Sequence, residues 1–369
     1  MTDREALRHV QDRIRALGPL DDFAMAAATA RLDALTKPPG SLGRLEALVV
    51  QLAGITGDPH ATFDRRTIVV AAADHGVAGQ GVSAYPADVT PQMVANFLAG
   101  GAAINALAAL VRADVTVVDA GVARPIPDVG TPVARLVSVP IRAGTDDMTG
   151  GPAMSRDEAL RAVGIGLMVG STVVADGAEL IGVGEMGIGN TTAASAVTAA
   201  MTGLPAERVT GRGTGIDDEG HARKIDVVSR ALGRHHPAPA DPIHVLAAVG
   251  GFEIGVLVGV LLGGVAARVP VILDGFITGA AALIAAALAP GTERRCIAAH
   301  RSVEPGHAVL LERLGLRPLL ELDLRLGEGT GAALAMGLVD AGIAIRDGMA
   351  TFDSAGVSGP AGVPDPGRR

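Results

Sequence analysis

The chain has 369 residues, enough for one large α/β domain, a smaller unit and a sizeable core. Its net charge of −8 and its 6 Phe, 1 Tyr and no Trp leave neither a basic stripe nor rings for stacking on bases, so nucleic acid is excluded as a partner. The single cysteine, Cys296, excludes an internal disulfide and a cysteine-rich metal site.

Mean hydropathy is +0.38, high enough that membrane insertion has to be weighed. The longest uncharged apolar run, Ile254–Ala267, is bounded by Glu253, Arg268 and Pro270 and falls short of the roughly 20 residues a spanning helix needs. Buried helices around a sheet are therefore expected, with no membrane insertion. The chain opens on a charged helical pattern rather than a basic-then-apolar signal, so a cytoplasmic location is expected.

Apolar positions recur at helical spacing over 3–17 (Leu7, Val10, Ile14, Leu17) and 22–36 (Phe23, Ala27, Leu32, Leu35). Lys37-Pro-Pro-Gly40 stops the second helix, and Ser41 is placed to cap a third that runs to about Ala53. Residues 1–60 thus read as an all-helical domain. From Arg66 the pattern changes. Thr67–Ala73 ends in Asp74-His75-Gly76, Val115–Val118 in Asp119-Ala-Gly121, and Glu179–Val183 in a glycine loop. Val269–Leu273 ends in Asp274-Gly275, and Leu319–Leu326 in a second glycine loop. Helical, Ala/Gly-rich segments lie between them at 92–111, 191–202, 220–232, 242–267 and 276–289. Continuous apolar strands alternating with helices predict a Rossmann-like, three-layer α/β/α domain over 61–331, with a mainly parallel sheet covered on both faces. Residues 121–155 read as irregular with one strand at Val133–Val139, and 354–369 as a disordered tail. Ligands bind beyond the carboxyl ends of such strands, so the five polar clusters fall on one edge and form one site.

Two of those clusters share a form: Gly182-Val-Gly-Glu-Met-Gly-Ile-Gly-Asn-Thr-Thr192 and Gly327-Glu-Gly-Thr-Gly331. Glycine permits close backbone approach to a ligand, and a helix N-terminus suits an anion such as phosphate. A glutamate in such a loop is poorly suited to anions and well suited to handling a proton. The first loop also contains G-x-G-x-x-G with Glu207 downstream, a dinucleotide-like pattern. Glu185 would sit where a pyrophosphate must approach, so a single phosphate on Gly187, Gly189, Asn190, Thr191 and Thr192 is the favoured reading; a dinucleotide and a tight structural turn stay open. Glu328 reads as a general base or as a first-turn glutamate favoured by the helix dipole. Only two lysines occur, Lys37 and Lys224; Lys224 reads equally as a second phosphate contact or a solvated helix residue. Asp74-His75 and His300-Arg-Ser-Val-Glu-Pro-Gly-His307 match no specific metal spacing and read as structural or substrate contacts, with Ser302 offering a hydroxyl. No metal or cofactor is expected.

In order along residues 30–345 stand Thr36-Lys-Pro-Pro-Gly-Ser-Leu-Gly-Arg-Leu-Glu46, Ala73-Asp-His-Gly-Val77, Val89-Thr-Pro-Gln-Met93, Gly184–Thr192, Asp274-Gly-Phe276, His300–His307 and Leu326-Gly-Glu-Gly-Thr-Gly331. Together they resemble the nicotinate-nucleotide:dimethylbenzimidazole phosphoribosyltransferases. The resemblance implies a homodimer and a small helical domain made from both chain ends, 1–60 completed by about 332–353. It implies transfer of phosphoribose from nicotinate mononucleotide to 5,6-dimethylbenzimidazole, giving α-ribazole 5′-phosphate for cobalamin. It also implies Glu328 as general base, a phosphate segment at Gly187–Thr192 helped by Lys224 and Ser302, and Asp274 among the ribose and phosphate contacts. Gln92 and Ser83–Pro86 (Ser83, Tyr85, Pro86) would line the base pocket with Met186 and Leu326. Glu185 is assigned the positive charge developing on ribose, or its hydroxyls. The competing classes are an NAD-dependent oxidoreductase, a non-catalytic binder of the nucleotide or base, and a polytopic membrane protein.

Overall fold

The computed structural model describes residues 1–359. In chain order, helices α1 (Asp3–Leu17), α2 (Asp22–Asp33) and α3 (Arg44–Thr56) precede strand β1 (Arg66–Ala73). Helices α4 (Val89–Ala99) and α5 (Ala103–Leu110), strands β2 (Ala113–Gly121) and β3 (Arg135–Ser138), and helix α6 (Arg156–Ala175) follow. Then come β4 (Leu180–Met186), α7 (Asn190–Thr202), α8 (Ala206–Val209), α9 (Asp218–His235), α10 (Pro242–Val249) and α11 (Phe252–Ala266). The chain continues through β5 (Val271–Leu273), α12 (Phe276–Leu288), β6 (Cys296–Ala298), α13 (Pro305–Leu314), α14 (Thr330–Gly348) and α15 (Phe352–Ala355).

Chain contacts divide the protein into two units. The larger comprises Met1–Gly18 and Phe63–Ala335. Its six strands are all parallel, in the order β3-β2-β1-β4-β5-β6. The order reverses beside β1, so the carboxyl ends of β1 and β4 flank the crevice where doubly wound sheets bind ligands. Val69, Val70, Ala71, Ile181 and Val183 are fully buried, as strands covered on both faces require. Every residue of α11 is buried. Its partner α6 approaches so closely that a Cβ on Gly166 would overlap the Val256 carbonyl, and one on Gly259 the Val163 carbonyl.

The expected helical domain 1–60 is divided by the structure. α1 buries Leu7 and Ile14 against α6 and α11, and Gln11 Nε2 and Arg13 Nη2 donate to the Leu288 and Ala266 carbonyls at 2.7 and 3.1 Å. Its apolar stripe therefore belongs to the α/β unit. The smaller unit comprises Pro19–Thr62 and the chain from Met336. Leu32, Leu35 and Val49 pack with Ile345 and Met349, and buried Arg346 donates to the Pro59 and Ala61 carbonyls at 3.1 and 3.0 Å. Gly43, not Ser41, stands at the N-cap of α3.

Other differences are local. Leu319–Leu326 is not a strand; only Leu320 bridges, to His300. The sixth strand is the three-residue β6. α6 and α13 occupy sequence for which no helix was expected. The expected helix 92–111 breaks at left-handed Gly100, and 242–267 breaks at Gly250. Two apolar helical stretches, Val89–Leu110 and Arg156–Ala175, are long enough to cross a bilayer by length and composition. The first contains the Gly100 break and the second packs along α11. Of the tail 354–369 expected to be disordered, Ser354 and Ala355 end α15, where Ser354 forms a capping box with Thr351; residues 360–369 lie outside the described residues.

Candidate active site

The two glutamate loops meet face to face at the carboxyl end of β4. A Cβ on Gly184 would overlap the Glu328–Gly329 backbone, and one on Gly327 would overlap Glu185 Oε1. Gly187 backs onto the Ala73 carbonyl at the end of β1. Gly189, at φ +100°, turns the chain into α7 and packs on His75 and Ala78. The second loop has three successive left-handed residues: Gly327 at φ +88°, Glu328 at +65° and Gly329 at +91°. Glycine adopts that region freely; glutamate does not. Asp274, from the end of β5, holds the loop by accepting from the backbone N–H of Gly329, Gly331 and Ala332 at 3.0, 2.6 and 3.3 Å.

Four buried carboxylates cluster here. Burial pushes Glu185 well above its ordinary range, and the nearby Asp274, Glu253 and Glu328 push it further, while the Asn190 amide, which donates to Oε2, opposes this. Burial raises Asp274 to about 7 against the three N–H groups that lower it. Burial likewise raises Glu328, opposed by the Ile104 N–H at the start of α5; its Oε2 has no partner. Glu253 is fully buried and meets His75 Nε2 at 2.7 Å. Burial disfavours the His75 imidazolium, but the Glu253 and Asp74 carboxylates outweigh it and raise His75. Among the described residues, no three of His, Cys, Asp and Glu are gathered so as to hold a metal ion.

A second polar group lies along α7 and α9. Lys224 is fully buried, donates to Thr191 Oγ1 at 2.7 Å, and is pushed down to about 8 by burial. A Cβ on Gly213 would lie 2.9 Å from its Nζ, so the lysine sits beneath the 211–215 loop and reaches the cavity through Thr191. Glu304 Oε1 accepts from Gly213 N at 2.8 Å, and its Oε2 has no partner. His307 Nδ1 accepts from Ser302 N at 2.8 Å; burial pushes this imidazole down to about 3.

Of the sequence candidates, Glu185, Met186, Gly187, Asn190, Thr191, Ser302 and Leu326 line one cavity of about 100 Å³. Gly189, Thr192, Lys224 and Asp274 lie behind its walls, and Glu328 beside it through Gly327. Ser83, Tyr85, Pro86 and Gln92 do not line it: Tyr85, Pro86 and Gln92 are exposed, and the half-buried Ser83 has its Oγ 3.3 Å from Oγ1 of Thr214, which does. Sequence reading missed Glu253, Glu304, Thr214 and Arg325. The lone acid heading the apolar run of α11 was the available signal for Glu253, since unpaired buried acids are rare. A larger cleft of about 620 Å³ lies at the opposite, amino end of the sheet; there Arg135 is already paired with Asp176 at 2.8 Å.

A doubly wound parallel sheet whose reversal point carries two glycine loops, each with a buried glutamate, defines a nucleotide-handling α/β enzyme, and a phosphoribosyltransferase family model matches residues 17–357. The nicotinate-nucleotide–dimethylbenzimidazole phosphoribosyltransferase of Chloroflexus aggregans is 58% identical over 345 residues, 94% of this chain and 97% of that one. The protein of that name from Chloroflexus aurantiacus is 58% identical over 349 residues, 95% and 98% of the two chains. The crystal structure of the enzyme of that name from Thermus thermophilus superposes with a TM-score of 0.86 at 49% identity, covering 92% of this chain and 100% of that one. The chain belongs to this phosphoribosyltransferase family.

Proposed function

We propose that this protein transfers the phosphoribosyl group of nicotinate mononucleotide to 5,6-dimethylbenzimidazole, with inversion at C1′, in assembly of the cobalamin nucleotide loop. One ring nitrogen of the base attacks C1′ with its lone pair. The bond from C1′ to the pyridinium nitrogen breaks, and its electron pair returns to the ring as nicotinate leaves. The attacking base becomes cationic, and its other nitrogen gives up its proton to Glu328. General-base assistance of this kind contributes about 10²–10⁴-fold.

The observation that carries this reading is the backbone of Glu328. A glutamate held at φ +65° between two left-handed glycines is a strained placement that the surroundings maintain, as functional positions often are. Burial keeps its carboxyl above the usual range, which strengthens it as a base once ionised. Asn190, Thr191 and Ser302 offer donors around the cavity, and Lys224 supports Thr191 from beneath. Ligand pockets span about 300–1,000 Å³, so the cavity of about 100 Å³ has to widen to take both substrates. The reading includes a homodimer, which sedimentation tests.

The test is a chromatographic assay with nicotinate mononucleotide and 5,6-dimethylbenzimidazole, with chelator and no added metal. Stoichiometric nicotinate and an α-linked ribotide are expected. Absence of product from a folded protein that binds both compounds would leave the binding-protein reading in its place.

A further inference from the structure

Resting on that reading, the arrangement around Glu185 points to a substrate filter. We infer that Glu185 is protonated in the empty site and releases its proton to solvent when a cationic pyridinium ring enters, so the site selects nucleotides whose base carries a positive charge. Glu185 lines the cavity yet is 5% exposed. No Lys or Arg among the described residues forms an ion pair with it; Asn190 donates to one oxygen, and Gly327 backs onto the other.

Its titratable neighbours come from every element packed around it. Asp274 at the end of β5 and Glu328 before α14 are carboxylates, and Glu253 on α11 is a third. The basic groups of this cluster are imidazoles. His75 is engaged by Glu253 at 2.7 Å, and His300 stands 3.7 Å from Asp274 and is pushed down by burial. A buried carboxyl surrounded by carboxylates holds its proton. A fixed positive ring beside it reverses that balance, because attraction between opposite charges is strong where water is excluded. When the C1′–N bond breaks, the electron pair neutralises the ring nitrogen. The attraction vanishes, Glu185 takes a proton back, and nicotinate is released. One proton leaves on binding and one returns, separately from the base proton that goes to Glu328.

The experiment is titration calorimetry near neutral pH in buffers of different ionisation enthalpy, using nicotinate mononucleotide and, as a probe without the ring, ribose 5-phosphate. The probe cancels proton exchange by the phosphate and by Lys224. About one more proton should be released with the mononucleotide, and its affinity should rise by up to about tenfold per pH unit while Glu185 starts protonated. Glu185→Gln should abolish the difference and keep ribose 5-phosphate binding, whereas Glu328→Gln, which removes one of three neighbouring carboxylates, should keep most of it. Equal proton counts for the two ligands in the unmodified protein would overturn the inference, whatever the variants do. So would loss of the difference in Glu328→Gln alone. Failure of the mononucleotide to bind at all would overturn the proposed function itself and this inference with it.

Discussion

Glu328 occupies a backbone region that costs an ordinary residue about 1–3 kcal/mol, and Asp274 is the group that keeps it there. Three backbone N–H groups converge on that one carboxylate. Asp274→Ala leaves them buried and unpaired, at about 1–3 kcal/mol for each group that water fails to reach. The expected result is a lowered melting temperature together with a fall in kcat larger than any rise in KM; Asp274→Asn, which keeps an acceptor oxygen, recovers part of both. Calorimetric melts and steady-state kinetics check this. Much of this layer was readable as sequence, because a glutamate among glycines at a strand end is a local, unusual pattern. Lys224 was not, since its depth beneath Gly213 comes from the packing of α9 on α7. Nor was the exposure of Tyr85, Pro86 and Gln92, because exposure of a side chain depends on what folds over it.

At the scale of elements, the helices and the longer strands follow from periodicity, and the exceptions have physical causes. Leu319–Leu326 interleaves Glu321, Asp323 and Arg325 with leucines, as a half-exposed strand would. Left-handed Asp323 interrupts its extended backbone, and it finds no ladder partner beyond Leu320. β6 is three residues long and leaves no alternation to detect. α6 carries Gly164, Gly166 and Gly170, which weaken its helical signal; Gly166 and Gly170 are the residues that let it approach α11. That approach yields a prediction. Gly166→Val drives a branched side chain into the Val256 carbonyl and should destabilise the α/β unit by about 1–3 kcal/mol or more, read as a lowered denaturation midpoint. Gly233→Ala, on α9 with open space around its Cα, should leave the midpoint unchanged or slightly raised.

At the scale of the whole molecule, buried titratable groups set how stability varies with pH. Asp274, raised to about 7, and Glu185, raised well above its ordinary range, bind protons more tightly folded than unfolded. Their contribution is fully present below the ordinary carboxylate range and is lost as pH rises through the folded values. His75, also raised, adds in the same direction, its contribution declining above the ordinary imidazole range. Lys224, depressed to about 8, changes stability only at more alkaline pH. Acids held below their ordinary range, such as Glu158 and Asp147, act with the opposite sign and lose their contribution on acidification. His307, depressed to about 3, and His300, also depressed, act the other way below the ordinary imidazole range, so the melting temperature should fall most clearly above that range, between about pH 6.5 and 8. Glu185→Gln should flatten that slope. A slope unchanged by the substitution would show that Glu185 titrates normally in the folded chain.

The central claim is that Glu328 takes the proton from the attacking base. It is tested most directly by measuring nicotinate mononucleotide binding and turnover side by side in Glu328→Gln. The account predicts that binding stays within a few fold of the unmodified protein while kcat falls by about 10²–10⁴. Turnover at the unmodified rate in a variant that binds the nucleotide normally would contradict it and remove Glu328 from the chemistry.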